Sequence, residues 1–399
     1  MDARTGATRP WARVLTGSFP AFVLLQGSLY AAYGTESPFL PSLLAERGLT
    51  PGEIGIALAA GTLMRLAAGP VAGHCADRYD ATRAVLSIAA TASGLISFAY
   101  LAGYGFWPLL TVSVLHASAI AALAPLADAL ALAVAEREGT FPYGWVRGAG
   151  SAAFVLGILA SGLLVARAGL ASIIVSSGLL FLVMAVATAR VPSAPARDAL
   201  PSLGLGGLRE LLALAPFRRM LVVAALVIGS HALNDGFAVI RWREAGIGAG
   251  AISLLWSEAV ASEVLVFVLL GPWLLARLGT ARAAMLAASL GVVRWSAMAS
   301  TAAVPVLAAI QPLHGFTFAL LHLAAMQLIA RVVPERLSAS AQTLYGTLGL
   351  GVASAVLTAT GGLLFAALGA GAFWVMAGLC AAALPLTVGL RRKPSAGTR

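Results

Sequence analysis

Apolar residues run through this chain in stretches near twenty, with short polar breaks between them. That is the length an α-helix needs to cross about 30 Å of hydrocarbon. The stretches do not alternate polar and apolar, so they do not read as barrel strands. Twelve spans are expected, at residues 18–41, 53–76, 84–103, 106–134, 143–166, 170–189, 217–240, 250–276, 283–301, 304–330, 339–366 and 370–390. The predicted class is an all-α membrane protein of twelve transmembrane helices.

The longest polar segment inside the chain, RVPSAPARDALPSLGLGGLRE at 190–210, is rich in Pro, Gly and Ser and reads as a linker. It leaves six spans on either side. The predicted organisation is a tail over 1–17, a six-helix bundle over 18–190, a linker over 191–216, a second bundle over 217–390 and a tail over 391–399. The halves echo each other. GPVAGHCADRYDATR begins at Gly69 and GPWLLARLGTAR at Gly271, each at the end of an even-numbered span and each leading into a basic turn. Two pseudo-symmetric six-helix halves are a transporter architecture, with the site near the bilayer midplane.

Charge then sets the orientation. Only 11% of the 399 residues are charged, against about 25% in soluble domains, and mean hydropathy is +0.91. With the N-terminus cytoplasmic, the inner segments hold 19 Arg and Lys residues and the outer loops hold 4, namely Arg47, Arg167, Arg241 and Arg243. That asymmetry is the positive-inside pattern, and it places both termini in the cytoplasm. It accounts for the net charge of +10 without nucleic acid. Arginine far outnumbers lysine and alanine is abundant, as in GC-rich bacterial genomes, so a bacterial inner membrane is expected. The first residues lack a cleavage signature and read as a retained tail. Cys75 and Cys380 are expected as free thiols.

Ionisable residues inside such spans are costly, and by default they mark function. Ten lie well inside: Glu36, Arg65, Asp128, Arg147, Asp235, Glu258, Glu263, Arg294, His314 and His322, with His116 and His231 as two further candidates. Counted from the basic turns at 1.5 Å per residue, Arg294, Glu263 and His314 fall about 18, 21 and 25 Å deep. Helices 8, 9 and 10 can therefore bring a carboxylate, a fixed guanidinium and an imidazole to one level. Those are the parts of a proton site. A static ion-pair network is the alternative. Asp128 and Arg147 fall about 12–14 Å from the loop joining helices 4 and 5 and are expected to meet across them. Arg65 is expected to face Glu36 or a solute carboxylate. Glu36, Arg65, Asp128, Arg147, Asp235, Glu258 and His322 are the substrate-binding candidates.

No Walker sequence and no HExxH spacing occurs. No cofactor is expected beyond a proton gradient as the energy source, no metal site, and no enzyme activity. The expected partners are a small-molecule solute, protons and the lipid bilayer. A monomer suffices, because one chain holds both halves.

The turn Gly73-His-Cys-Ala-Asp77-Arg78, with Arg83 beyond it, resembles the loop 2–3 signature of the major facilitator superfamily, with Asp80 in place of the usual glycine. That resemblance implies a gating loop made of Gly73, Asp77, Arg78 and Arg83. YGWVRGAGSAAFVLG from Tyr143, HALNDGFAVIRWREAGIGAGAISLLWSEAVASEV from His231, GVVRWSAM from Gly291, LHGFTFALLHLAAMQLIA from Leu313, and GAFWVMA from Gly371 are similar to the 3-phenylpropionate permease family. That family lies close to the lactose permease type. The likeness covers almost the whole chain and implies the major facilitator fold, with proton-coupled uptake of a small organic solute by alternating access. It also implies a substrate role for Arg147, Asp128 and the aromatic Phe154, and a coupling role for Glu263, Arg294 and His314. Two departures stand out. Thr317 replaces the glutamate that the lactose type carries three residues after its helix 10 histidine. Glu36 and Glu258 replace apolar residues of the phenylpropionate type. The expected function is a proton symporter for an aromatic or other carboxylate; a proton-antiport exporter and uptake of a sugar- or nucleoside-like solute are the alternatives.

Overall fold

The computed structural model describes residues 17–193 and 205–390. The two expected tails and residues 194–204 of the linker lie outside the described residues. Among the described residues there is helix and turn but no strand. Hydrocarbon offers a backbone no hydrogen-bonding partner, so each segment satisfies its own N–H and C=O groups in a helix.

Nine helical runs among the described residues are long and apolar enough to cross a membrane. Two of them exceed fifty residues, and each contains a glycine in the left-handed region. Gly279, at φ 70°, breaks Ala249–Ser300; Gly369, at φ 53°, breaks the run Glu335–Val388. A side chain there would be strained, so glycine lets each run fold back into two. With Phe19–Glu36 added, the helices are consistent with twelve spans. They are α1 Phe19–Glu36, α2 Pro51–Arg78, α3 Thr82–Ala102, α4 Phe106–Glu138, α5 Tyr143–Ala168, α6 Ala171–Thr188, α7 Ala215–Glu244, α8 at 249–278, α9 at 280–300, α10 Val304–Val332, α11 at 335–368 and α12 Ala372–Val388. Large apolar side chains such as Leu95, Trp107, Leu156, Leu163, Val268 and Leu363 stand exposed on these helices. That is the expected surface of a protein whose solvent is lipid.

The chain forms two compact units. One takes in the described residues through Leu40 and from Met64 to Ser193; the other takes in Pro41–Leu63 and the described residues from Leu205 onward. In the first unit Phe22, Leu25, Leu29, Leu123, Val146 and Phe181 form the core. The α1–α5 contact there is unusually close, because Gly34 and Gly157 face the partner backbone. A Cβ on Gly157 would lie 2.5 Å from the Ala31 carbonyl oxygen, and one on Gly34 would overlap the Phe154 carbonyl. Small residues at a helix crossing are the usual route to tight packing in a membrane. After α2, the turn passes through Asp80 at φ 46°, the one non-glycine residue at positive φ among those described. Aspartate tolerates that region better than most residues, which explains how it stands where the loop signature it resembles has glycine.

In the second unit, three helices widen into π turns: Asn234–Ala238 in α7, Val266–Leu270 in α8 and Phe316–Leu320 in α10. A fourth, Tyr345–Val352, lies in α11. A π turn inserts a residue and re-phases the face of the helix beyond it, a device concentrated at functional sites. The first holds Asp235, the second begins three residues after Glu263 and the third two residues after His314.

Candidate functional site

The second unit gathers the proton-coupling candidates into one bonded chain. Arg294 on α9 has no solvent exposure at all. Its NH2 donates to Gln311 Oε1 at 3.0 Å, and its NH1 lies 3.1 Å from His314 Nδ1. The guanidinium also sits 4.5 Å over the Trp295 ring. Trp295 is itself pinned, its Nε1 donating to Ser230 Oγ at 2.8 Å. His314 Nε2 then reaches Glu263 Oε2 at 3.2 Å. Gln311 and His314 flank Pro312, where α10 is interrupted by a turn. Proline has no N–H to continue the ladder, and the break sets both side chains toward α9.

The protonation pattern follows from the donors. A guanidinium can only donate, so His314 Nδ1 must accept from Arg294. The imidazole in this arrangement is therefore neutral, carries its hydrogen on Nε2 and donates to the Glu263 carboxylate. Arg294 thus reaches Glu263 through the imidazole. Exposure rises along the chain: Arg294 is sealed, the His314 side chain is 15% exposed and that of Glu263 27%. The carboxylate is the most exposed of the three.

Around this chain, His231 packs its ring 4.9 Å from His314 and 5.2 Å from Trp295. Asp235 is exposed, accepts a 3.1 Å bond from Asn234 Nδ2 and interacts electrostatically with Arg294, His314 and Glu263. Glu258 lies partly buried on α8, five residues before Glu263. His322 continues a ladder on α10. His314 stacks on Phe318 (5.9 Å, 6°), and Phe318 stacks on His322 (6.5 Å, 12°). Thr317 Oγ1 donates to the carbonyls of Leu313 and His314, both at 3.1 Å, and so is spent on its own helix.

The first unit holds the remaining candidates. Asp128 and Arg147 do not pair. Asp128 accepts a 2.7 Å bond from the buried Gln26, while Arg147 lies 4.5 Å over the Tyr30 ring and donates to Ser151 at 3.2 Å. Glu36 is buried and sits 3.5 Å from His116 Nδ1. Arg65 is exposed and interacts electrostatically with Glu36, Tyr33 and Tyr100. Phe154 is half-buried, its carbonyl under Gly34. Of the gating-loop candidates, Gly73, Asp77 and Arg78 lie in the last turns of α2, and Arg83 donates to the Val191 carbonyl at 3.4 Å. Asp80, Thr82, Arg83, Ser87, Thr188 and Ser193 line an open cleft of about 460 Å³ beside that loop.

Gln311, Gln26, Tyr30, Ser230 and Trp295 were not singled out from the sequence. The one signal for the two glutamines is an amide inside an otherwise apolar helix. Cys75 and Cys380 are free thiols, and no cluster fit to hold a metal ion exists among the described residues.

Comparison with known proteins agrees with this architecture. The model of the MFS_1 like family matches residues 28–376. The probable 3-phenylpropionic acid transporter of Escherichia coli (strain K12) is 33% identical over 353 residues, covering 87% of this chain and 91% of that protein. Maltose permease of Geobacillus stearothermophilus is 29% identical over 363 residues, 91% of each. Among solved structures, nucleoside transporter NupG superposes with a TM-score of 0.81 at 16% identity, covering 93% of this chain and 98% of that one. The family match and the close relative make the chain a multi-pass membrane transporter rather than an enzyme, and it belongs to the MFS_1 like family.

Proposed function

We propose that this chain is a proton-coupled symporter for a small organic solute, an aromatic or other carboxylate, working by alternating access in a bacterial inner membrane. The observation that carries the reading is the Arg294–His314–Glu263 chain. With Glu263 ionised, the guanidinium and the carboxylate offset each other through a neutral imidazole. A proton arriving on Glu263 removes the anion. The cluster becomes one charge more positive, and a solute carboxylate can restore the balance. Proton and anion then favour each other's binding, which is the reciprocity that coupling requires. Arg65 and Arg147 are the cations with exposed surface to offer a solute carboxylate, while the sealed Arg294 acts through the charge balance of its own cluster. The His314–Phe318–His322 ladder offers ring faces to an aromatic one. The relative described as a 3-phenylpropionic acid transporter supports this solute class, and the excess of basic residues in alternate loops supports cytoplasmic termini.

The maltose permease relative favours a second reading, uptake of a neutral solute, in which Asp235 and Glu258 would accept hydroxyl hydrogen bonds. Proton antiport on the same fold is the third. External pH separates them. Energy-depleted cells expressing the protein, in light buffer well above the solute's pKa, are given 3-phenylpropionate. Transient alkalinisation is expected, absent from vector cells and from Glu263→Gln. Alkalinisation with maltose and none with 3-phenylpropionate would move the assignment to neutral solutes. In energised cells, higher retention of the probe on adding a protonophore would move it to export.

A further inference from the structure

We infer that Glu36 and His116 form a second proton-binding site, in the first unit, which holds one exchangeable proton and clasps three helices while it is loaded. A single hydroxyl fixes the direction of the bonds. Ser97 Oγ on α3 donates to the Ser93 carbonyl at 2.7 Å, which uses its only hydrogen. His116 Nε2 on α4 lies 3.1 Å from the same oxygen, so it must be the donor there. His116 therefore carries its hydrogen on Nε2. Its other nitrogen, Nδ1, faces Glu36 Oε1 on α1 at 3.5 Å.

Two bare acceptors at that distance repel each other, and a proton held by either of them removes the repulsion. Either Nδ1 is protonated and Glu36 is an anion, or Nδ1 is bare and Glu36 is a carboxylic acid. Both forms have a net charge of zero and differ only in where one hydrogen sits. Release of that proton leaves a carboxylate facing a lone pair, a net charge of −1 and a repulsive contact. The groups are enclosed: the His116 side chain is 3% exposed and that of Glu36 9%. Tyr100 and Phe181 close on the imidazole edge-to-face, each with centroids 5.8 Å away. The charged and titratable groups facing the pair are Tyr33, Tyr100 and Arg65. Tyr100 donates to Ser113 and Tyr33 to the Ile120 carbonyl, so neither hydroxyl supplies the missing hydrogen; Arg65 lends Glu36 positive charge but stays protonated and so holds no exchangeable proton. Glu36 is then a proton carrier in place of the solute ligand expected from its depth. Losing its proton would part α1 from α3 and α4.

The site does not depend on the proposed role of Glu263, and its test needs no solute. Purified full-length protein in lipid nanodiscs is titrated potentiometrically between about pH 5 and pH 9. Wild type is compared with Glu36→Gln, His116→Asn and the double variant, with folding checked by circular dichroism. One shared proton predicts that the double variant loses one proton and no more, and that each single variant either loses that same proton or keeps it with a displaced midpoint. Additive loss, two protons in the double variant, would overturn the proposal, as would no loss in any of them. Ser97→Ala is the variant least able to disturb folding. It should keep the proton count and move that proton's midpoint down by about half a pH unit, because the hydrogen bond it removes favours the charged imidazole. An unmoved midpoint would equally overturn the assignment. If Glu263→Gln proves silent in transport, this titration still stands or fails by itself.

Discussion

Arg294→Met should slow proton-driven accumulation of 3-phenylpropionate by roughly 30- to 150-fold while leaving the protein folded. The guanidinium makes two hydrogen bonds with full burial, to Gln311 and to His314. Bonds to charged groups contribute about 1.5–3 kcal/mol each. Arg294→Met relieves the several kcal/mol that desolvating the cation costs, against about 1–3 kcal/mol for each acceptor, Gln311 and His314, left without its donor. The two terms nearly cancel in the fold. They do not cancel in the coupling. Without Arg294, His314 Nδ1 loses its donor and is free to take a proton. The imidazolium then pairs with Glu263 and holds it as an anion, so the carboxylate no longer cycles. A loss of about 2–3 kcal/mol in coupling corresponds to roughly 30- to 150-fold slower uptake. Arg294→Lys should recover little, because an ammonium lacks the planar fork that reaches Gln311 and His314 together. Initial uptake rates in proteoliposomes under an imposed pH gradient, set beside thermal midpoints, make the test. Uptake within twofold of wild type would remove Arg294 from the coupling machinery.

Heights in the membrane were readable from the sequence; directions around each helix were not. The spans are legible because a bilayer of fixed thickness demands apolar runs of fixed length, and the two long runs part at Gly279 and Gly369, close to the expected boundaries. Glu263, Arg294 and His314 stand out because ionised groups are rare at such depth. Their order of connection does not follow from depth. It rests on the break at Pro312 and on the π turn in α10, which no local pattern announces. Asp128 and Arg147 show the same limit. Their depths suit a pair, yet Gln26 takes the carboxylate and the Tyr30 face takes the guanidinium. A polar amide and a ring on α1 settled what two charges alone left open. Glu36 likewise found His116, on a helix the depth argument had not connected with it.

Opposite signs are expected for two glycine substitutions on α5. Gly157→Ala should lower the thermal midpoint of the purified protein, and Gly148→Ala should hold or raise it. Alanine favours a helix over glycine by about 0.8–1 kcal/mol, a gain open to both positions. At Gly148 nothing lies within 4 Å of the added carbon, so only the propensity term acts. At Gly157 the added carbon falls 2.5 Å from the Ala31 carbonyl oxygen and 3.1 Å from the Thr35 nitrogen. Both obstacles are α1 backbone, which cannot rotate aside as a side chain would. The helices must separate, and overpacking of this kind costs about 1–3 kcal/mol. The cost exceeds the propensity gain, and Gly157→Leu should prevent stable folding of the first unit. The displacement has a functional reading as well. Gly150, two turns earlier on α5, lies against Tyr30, and Tyr30 carries the Arg147 guanidinium on its face. Prising α5 from α1 at Gly157 moves Arg147 off that ring. Gly157→Ala should therefore reduce uptake beyond what its remaining folded fraction explains. Thermal midpoints and uptake normalised to folded protein, measured for both variants, decide it; a midpoint for Gly157→Ala at or above that of Gly148→Ala would mean that the α1–α5 contact gives way more easily than its backbone geometry implies.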